Sequence, residues 1–118
     1  MLSRMQCDIV RECAGAVAVL TRELEDEGEL FASPNTLRDV EAHLLAAAQT
    51  LAHLSPALQT RLGWIDWRGW EALRGALEAD RRPRRDEVWY AVRALLPATV
   101  HLIEQLRRVE PVWFEIAY

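Results

Sequence analysis

Apolar residues recur along the chain at three- and four-residue steps, the repeat that lines one side of an α-helix, and no stretch alternates as a half-buried strand would. The first run is Met5, Ile9, Cys13, Val17, Leu20 and Leu24. It predicts a helix opened by Ser3 and Gln6 in a capping-box pattern. Gly28 is the expected stop, after an acidic stretch of Glu23, Glu25, Asp26, Glu27 and Glu29. Ser33-Pro34 reads as an N-cap with proline at the first helical position, opening a second helix whose buried stripe is Leu37, Val40, Leu44, Ala48, Leu51 and Leu54. Ser55-Pro56 repeats that start signal for a short helix that runs to Leu62 and ends at Gly63. Asp66 is placed to cap the next helix, with Ile65 and Trp70 as a hydrophobic staple across the cap. That helix carries Trp67, Trp70, Leu73 and Leu77 until Pro83 breaks the chain. Asp86 is expected to cap the last long helix. Its buried side is Val88, Trp89, Val92, Leu95, Leu96, Leu102, Ile103 and Leu106, and Pro97 inside it predicts a kink. The fold class is therefore all-α: one domain over residues 1–118, a bundle of four main helices plus a short one. The apolar tail, residues 109–118, is expected to pack back on the bundle or on a second subunit.

Composition narrows the chemistry. A chain of 118 residues fits a single core. Its 14 basic side chains are all arginine, against 18 acids, for a net charge of −4. Without lysine, lysine-based chemistry is excluded. Cys7 and Cys13, six residues apart on one helix, point in different directions and read as reduced, apolar positions rather than a disulfide. His43, His53 and His101 lack the spacing of a zinc site, so neither a metal nor another cofactor is expected. No apolar run approaches the roughly 20 residues of a membrane span. Asp8, Arg11 and Glu12 interrupt any signal-peptide core, which points to a cytoplasmic protein without a membrane partner.

The stretch "WEALRGALEADRRPRRDEVW", from Trp70 to Trp89, concentrates the candidate chemistry. Arg74 is followed by a knot of Arg81, Arg82, Arg84 and Arg85. Guanidinium groups grip phosphates and carboxylates bidentately, so these five are candidates for binding RNA, a nucleotide or an acidic partner. Arginines past a helix C-terminus also interact favourably with its dipole without binding anything. Both readings stand on sequence alone. Trp64, Trp67, Trp70 and Trp89, at helical spacing, read as core or interface rather than a stacking surface.

Three segments, in order and spacing, resemble one family. They are "LAHLSPALQTRL", closing the second helix, then "WIDWRGWEALRG", then "DEVWYAVRALLPATVHLIEQL" with Trp89 and Leu96-Pro97. Together they resemble HEPN-domain proteins of the HepT type, over the chain from the second helix to Leu106. The resemblance implies an antiparallel four-helix bundle that forms homodimers. It also implies a minimal nucleotidyltransferase as partner in a toxin–antitoxin pair, with the HEPN subunit usually a ribonuclease. Catalysis in that family rests on Arg-x4-His, often extended to Arg-x4-His-x-Tyr. A histidine takes the 2′-hydroxyl proton and an arginine faces the charge growing on phosphorus.

Laid on this chain, the motif retains Arg74 as its catalytic-position residue. Ala79 stands at the histidine position, Arg81 at the tyrosine position and Gly75 at the usual polar residue. The Gly-Glu-Ala common in the second helix falls on Ala48, Gln49 and Thr50. Loss of a positioned acid–base costs about 10²- to 10⁴-fold in rate. The resemblance thus implies a non-catalytic member that binds a nucleotidyltransferase. Two alternatives remain: a metal-independent ribonuclease with a displaced base near Glu78 and Asp80, or an RNA- or nucleotide-binding module built on the Arg81–Arg85 cluster.

Overall fold

A computed structural model describes residues 2–115. Its elements are α1 (Leu2–Thr21), α2 (Glu27–Phe31), α3 (Pro34–Ala52), α4 (Pro56–Arg61), α5 (Trp67–Glu78), α6 (Arg85–Tyr90), a π turn (Ala91–Leu95), α7 (Leu96–Val109) and a 3₁₀ turn (Pro111–Phe114). No strand occurs among the described residues, and none of their helices is long and apolar enough to cross a membrane. The all-α expectation thus holds.

Helix α3 is the central element. Val40, Leu44, Ala47, Ala48 and Leu51 are buried along it, with α1, α2 and α5 packed around it. Helix α7 closes over α1, bringing Ile103 and Leu106 into the same core.

Helix starts with a short polar residue form as the sequence indicates. The Asp66 carboxylate accepts from Gly69 N at 2.9 Å, with Ile65 and Trp70 both buried beside the cap. Ser55 Oγ accepts from Leu58 N at 3.3 Å. Helix α3 does begin at Pro34, although the Ser33 hydroxyl donates back to Glu29 O instead of capping.

Other expectations need correction. Ser3 lies inside α1, and Gln6 turns inward to donate to His53 O at 3.1 Å. The buried stripe of α1 is Gln6, Cys7, Val10, Cys13 and Val17, while Met5 and Ile9 are exposed. Two apolar stripes run along this helix, and periodicity alone does not choose between them. Helix α1 stops at Thr21, not Gly28. Asp26 then caps a separate short helix by accepting from Glu29 N, so that Gly28 lies within α2. Asp86 falls in the first turn of α6, whose cap position is Arg84. There Asp86 and Glu87 suit the positive end of the helix dipole.

Pro97 is accommodated by the π turn. Proline lacks an N–H and its ring crowds the carbonyl four residues back, here Arg93. The wider π turn spans that position. The tail packs back as far as Phe114, which is buried beneath the Arg107 guanidinium at 5.2 Å. Arg107 also donates to Asp8 at 2.9 Å, and Arg61 pairs with Glu110. Residues 116–118 of the tail, including Tyr118, lie outside the described residues.

The tryptophans divide. Trp70 is buried and its Nε1 donates to Thr99 Oγ1 at 2.9 Å. Trp67 and Trp89 are half-buried against the core. Trp64, at 90 % exposure, belongs to no core.

The buried Trp70–Thr99 bond yields a stability prediction. Thr99→Val keeps the shape but strands a buried indole N–H, and should cost about 1–3 kcal/mol in urea unfolding. Thr99→Ser, which retains the acceptor, should cost clearly less.

Candidate arginine-rich site

The site forms around the C-terminal end of α5, where the chain must reverse before α6. Ala79 N–H donates to Gly75 O, Asp80 N–H to Leu77 O, and Arg81 N–H to Ala76 O at 2.8 Å. The last two bonds close the helix end as a Schellman motif, with Asp80 in the left-handed conformation at φ 48°. Glycine usually occupies that position. Aspartate is among the few other residues that tolerate it. Ala79 is the exposed cap of α5.

The five arginines do not converge. Arg84 is 9 % exposed, and its Nε and Nη2 donate to the two oxygens of Glu41 on α3 at 2.7 and 3.0 Å. Its Nη1 donates to Asp80 at 2.6 Å. These bonds raise the Arg84 pKa, the pairing with Glu41 contributing most and the bond to Asp80 next. Arg85 points the other way, toward Glu27 of α2 at 3.6 Å and over the Phe31 ring at 4.8 Å. Arg82 is solvent-exposed near Asp80 at 3.4 Å. Arg81 folds back along α5, where its Nη2 would lie 2.6 Å from a Cβ added at Gly75. Arg74 stands on the α5 surface, 37 % exposed, with Glu78 at 3.8 Å.

Arg74 borders a cleft of about 200 Å³ between α3, α4 and α5, also lined by Gln59, Trp67 and Glu71. Beside it Gln49 Nε2 on α3 reaches Glu78 Oε1 at 3.3 Å. No histidine lines this cleft. Asp80 carries its carboxyl below the usual carboxylate range, chiefly through the bond from Arg84, so it holds a proton poorly near neutrality. Among the described residues there is no cluster of His, Cys, Asp or Glu that suits a metal ion.

The sequence singles out the arginines but not Glu41, which sits on α3 and meets Arg84 only in three dimensions. No family model matches the chain, and no match was found among curated proteins or among solved structures.

Three predictions follow from this geometry. Glu41→Ala leaves the buried Arg84 guanidinium without its bidentate partner and should cost about 3 kcal/mol in urea unfolding, whereas Arg82→Ala should leave the urea midpoint close to the native value. The two glycines of α5 should respond oppositely to alanine. A Cβ at Gly75 meets only the flexible end of Arg81, so the gain in helix propensity, up to about 1 kcal/mol, should prevail. A Cβ at Gly69 meets the capping Asp66 carboxylate at 2.6 Å and should destabilise.

The third concerns acid. Asp8, Asp66 and Asp80 all titrate below their ordinary value, through hydrogen bonds from Arg107, Tyr90 and Arg84 respectively. Lowered folded-state values mean that their stabilisation is complete above the ordinary carboxylate pKa and lost as pH falls through the depressed ones. The urea midpoint should therefore stay level between about pH 7 and 5 and decline below about pH 4.

Proposed function

We propose that this chain is a HepT-like HEPN protein that has lost ribonuclease activity and serves as the binding subunit of a cytoplasmic HEPN–nucleotidyltransferase pair. One observation carries the reading. The resemblance ties a segment of the second helix, Ala48 to Thr50, to the motif segment beginning at Arg74. In the folded chain Gln49 touches Glu78, four residues beyond Arg74 and ion-paired with it. The family's two functional segments thus correspond to two segments that meet here. The antiparallel four-helix arrangement and the homodimer belong to this proposal, as does the minimal nucleotidyltransferase partner.

The same surface explains why the subunit is proposed to be non-catalytic. Arg74 retains the cation that would face a phosphate, yet no histidine is among the residues lining its cleft. Ala79 offers no base, and Arg81 holds its proton throughout. The Asp80 carboxyl is held in its ionised form. A displaced-base ribonuclease is therefore the weaker reading. RNA or nucleotide binding retains support from Arg74, Arg81 and Arg82, which sit on the solvent side of α5 and its following turn. Arg84 is not included, because its donors already engage carboxylates.

Complex formation tests the reading. Mixed with a minimal nucleotidyltransferase encoded beside it, the purified chain is expected to co-elute as a stable complex. In some HEPN proteins the motif tyrosine is where the partner attaches nucleotides, and Arg81 holds that position here, so intact-mass measurement with a nucleoside triphosphate should show no transfer to this chain. Separate elution would overturn the partner assignment, and a nucleotide adduct on the chain would show that nucleotide attachment persists without the tyrosine. Salt-sensitive RNA binding that Arg82→Glu weakens would favour the binding-module alternative.

A further inference from the structure

The link between α4 and α5 is pinned from within and turns one tryptophan outward. Leu62 O accepts from Ile65 N at 3.1 Å and from Trp67 Nε1 at 3.2 Å, and both Leu62 and Ile65 are buried. Trp64, between them, is left standing in solvent. A single exposed apolar side chain is ordinary. This one borders a groove.

The groove has a volume of about 250 Å³ and lies between that link and α7. Its α7 side is formed by Leu102, Gln105, Leu106 and Val109, which share one helix face at three- and four-residue steps. Leu62 and Leu106 are its buried floor, and Val109 is exposed beside Trp64. Among the described residues, the polar side chains lining it are Arg61 and Gln105.

Arg61 is anchored without being saturated. Its Nη2 donates to Glu110, whose other carboxylate oxygen accepts from Trp113 Nε1 at 3.1 Å. A guanidinium carries several further N–H donors, and those of Arg61 meet no other acceptor among the described residues. Arg108, one turn beyond Gln105, forms no ion pair among the described residues. The acids of the same stretch are engaged: Glu110 by Arg61 and Trp113, Glu104 by Arg107 and Arg11. A chain of net charge −4 thus presents open cationic donors here, beside apolar surface.

These two features define the chemistry of an occupant. Apolar walls suit an apolar body, and unused guanidinium donors suit an anion, a carboxylate above all. The groove is smaller than the ~300–1,000 Å³ of drug-sized sites, which suits one small molecule. We propose that it binds a small amphiphilic carboxylate, with the apolar body against Leu62, Leu106 and Trp64 and the carboxylate on the open donors of Arg61. The groove shares no residue with the Arg74 cleft, and its assignment does not rest on the family reading.

Titration of the full chain with phenylbutyrate tests this, followed by nuclear magnetic resonance at the Trp64 indole N–H, which Trp64→Phe assigns. The shift should saturate, with a Kd of roughly 1 mM or tighter. Phenylbutanol, the same body without charge, should bind about fivefold or more weakly, and phenylbutylammonium more weakly still. Arg61→Gln should weaken the acid roughly fivefold while leaving the alcohol unchanged. Because that variant also breaks the pair with Glu110, Gln105→Glu serves as a second. Gln105 is exposed, so helix content by circular dichroism should be native, while the added carboxylate should repel the acid. Equal binding of acid, alcohol and amine would overturn the proposal, as would acid binding unchanged in both variants. A shift that does not saturate would also overturn it. A response confined to the Trp67 and Trp70 indoles would do the same, since it would place binding in the Arg74 cleft.

Discussion

The pairing of Arg84 with Glu41 fixes the corner on which the second half of the chain depends. Between the end of α5 and the start of α6 the chain reverses direction, with Asp80 holding a left-handed turn. A buried guanidinium is tolerable only when its donors are satisfied, and here three nitrogens bind two carboxylates from different elements. One carboxylate belongs to central α3, the other to the turn itself. The pair therefore registers the α5–α6 corner against α3, and with it the direction in which α6, the π turn and α7 set out. Removing two charges from water offsets much of their attraction, so what the pair provides is position more than net stability.

That constraint changes the meaning of the arginine knot. In sequence, Arg81, Arg82, Arg84 and Arg85 are one cationic run. In space they serve four different surroundings: the surface of α5, open solvent, the buried side of the corner and its α2-facing side. A phosphate site needs donors that converge, and divergence leaves only Arg74 and its neighbours on the cleft side. On the proposed reading, the substitutions at Ala79 and Arg81 removed the chemistry of the family motif while the helical frame that would present it stayed in place. Gly75 is part of that change, because a residue without a side chain makes room for Arg81 to lie along the helix.

Much of the fold was legible because its signals are local. Ser55-Pro56 and Asp66 announce helix starts through atoms within three residues of each other, and both caps form. The failures have equally physical causes. Helix α1 is apolar on two sides, so Met5 and Ile9 satisfied the periodicity while facing solvent. The acidic run ending in Glu29 concealed a cap at Asp26, and Gly28 resembled a stop although it lies within α2. In the site, the cationic run from Arg81 to Arg85 was readable. The separate fate of Arg84 was not, because its deciding partner lies 43 residues earlier in the chain. No local pattern distinguishes it from Arg82 or Arg85.

On the proposed reading, the Arg74 cleft is a HEPN-type surface without its base. RNA cleavage by the purified native chain in the presence of chelator tests this most directly, with Arg74→Ala as the control. No cleavage above background is expected from either protein. Cleavage by the native chain that disappears in Arg74→Ala would contradict it, and would mean that a base has been recruited around Glu78 or Asp80 despite their ion pairs.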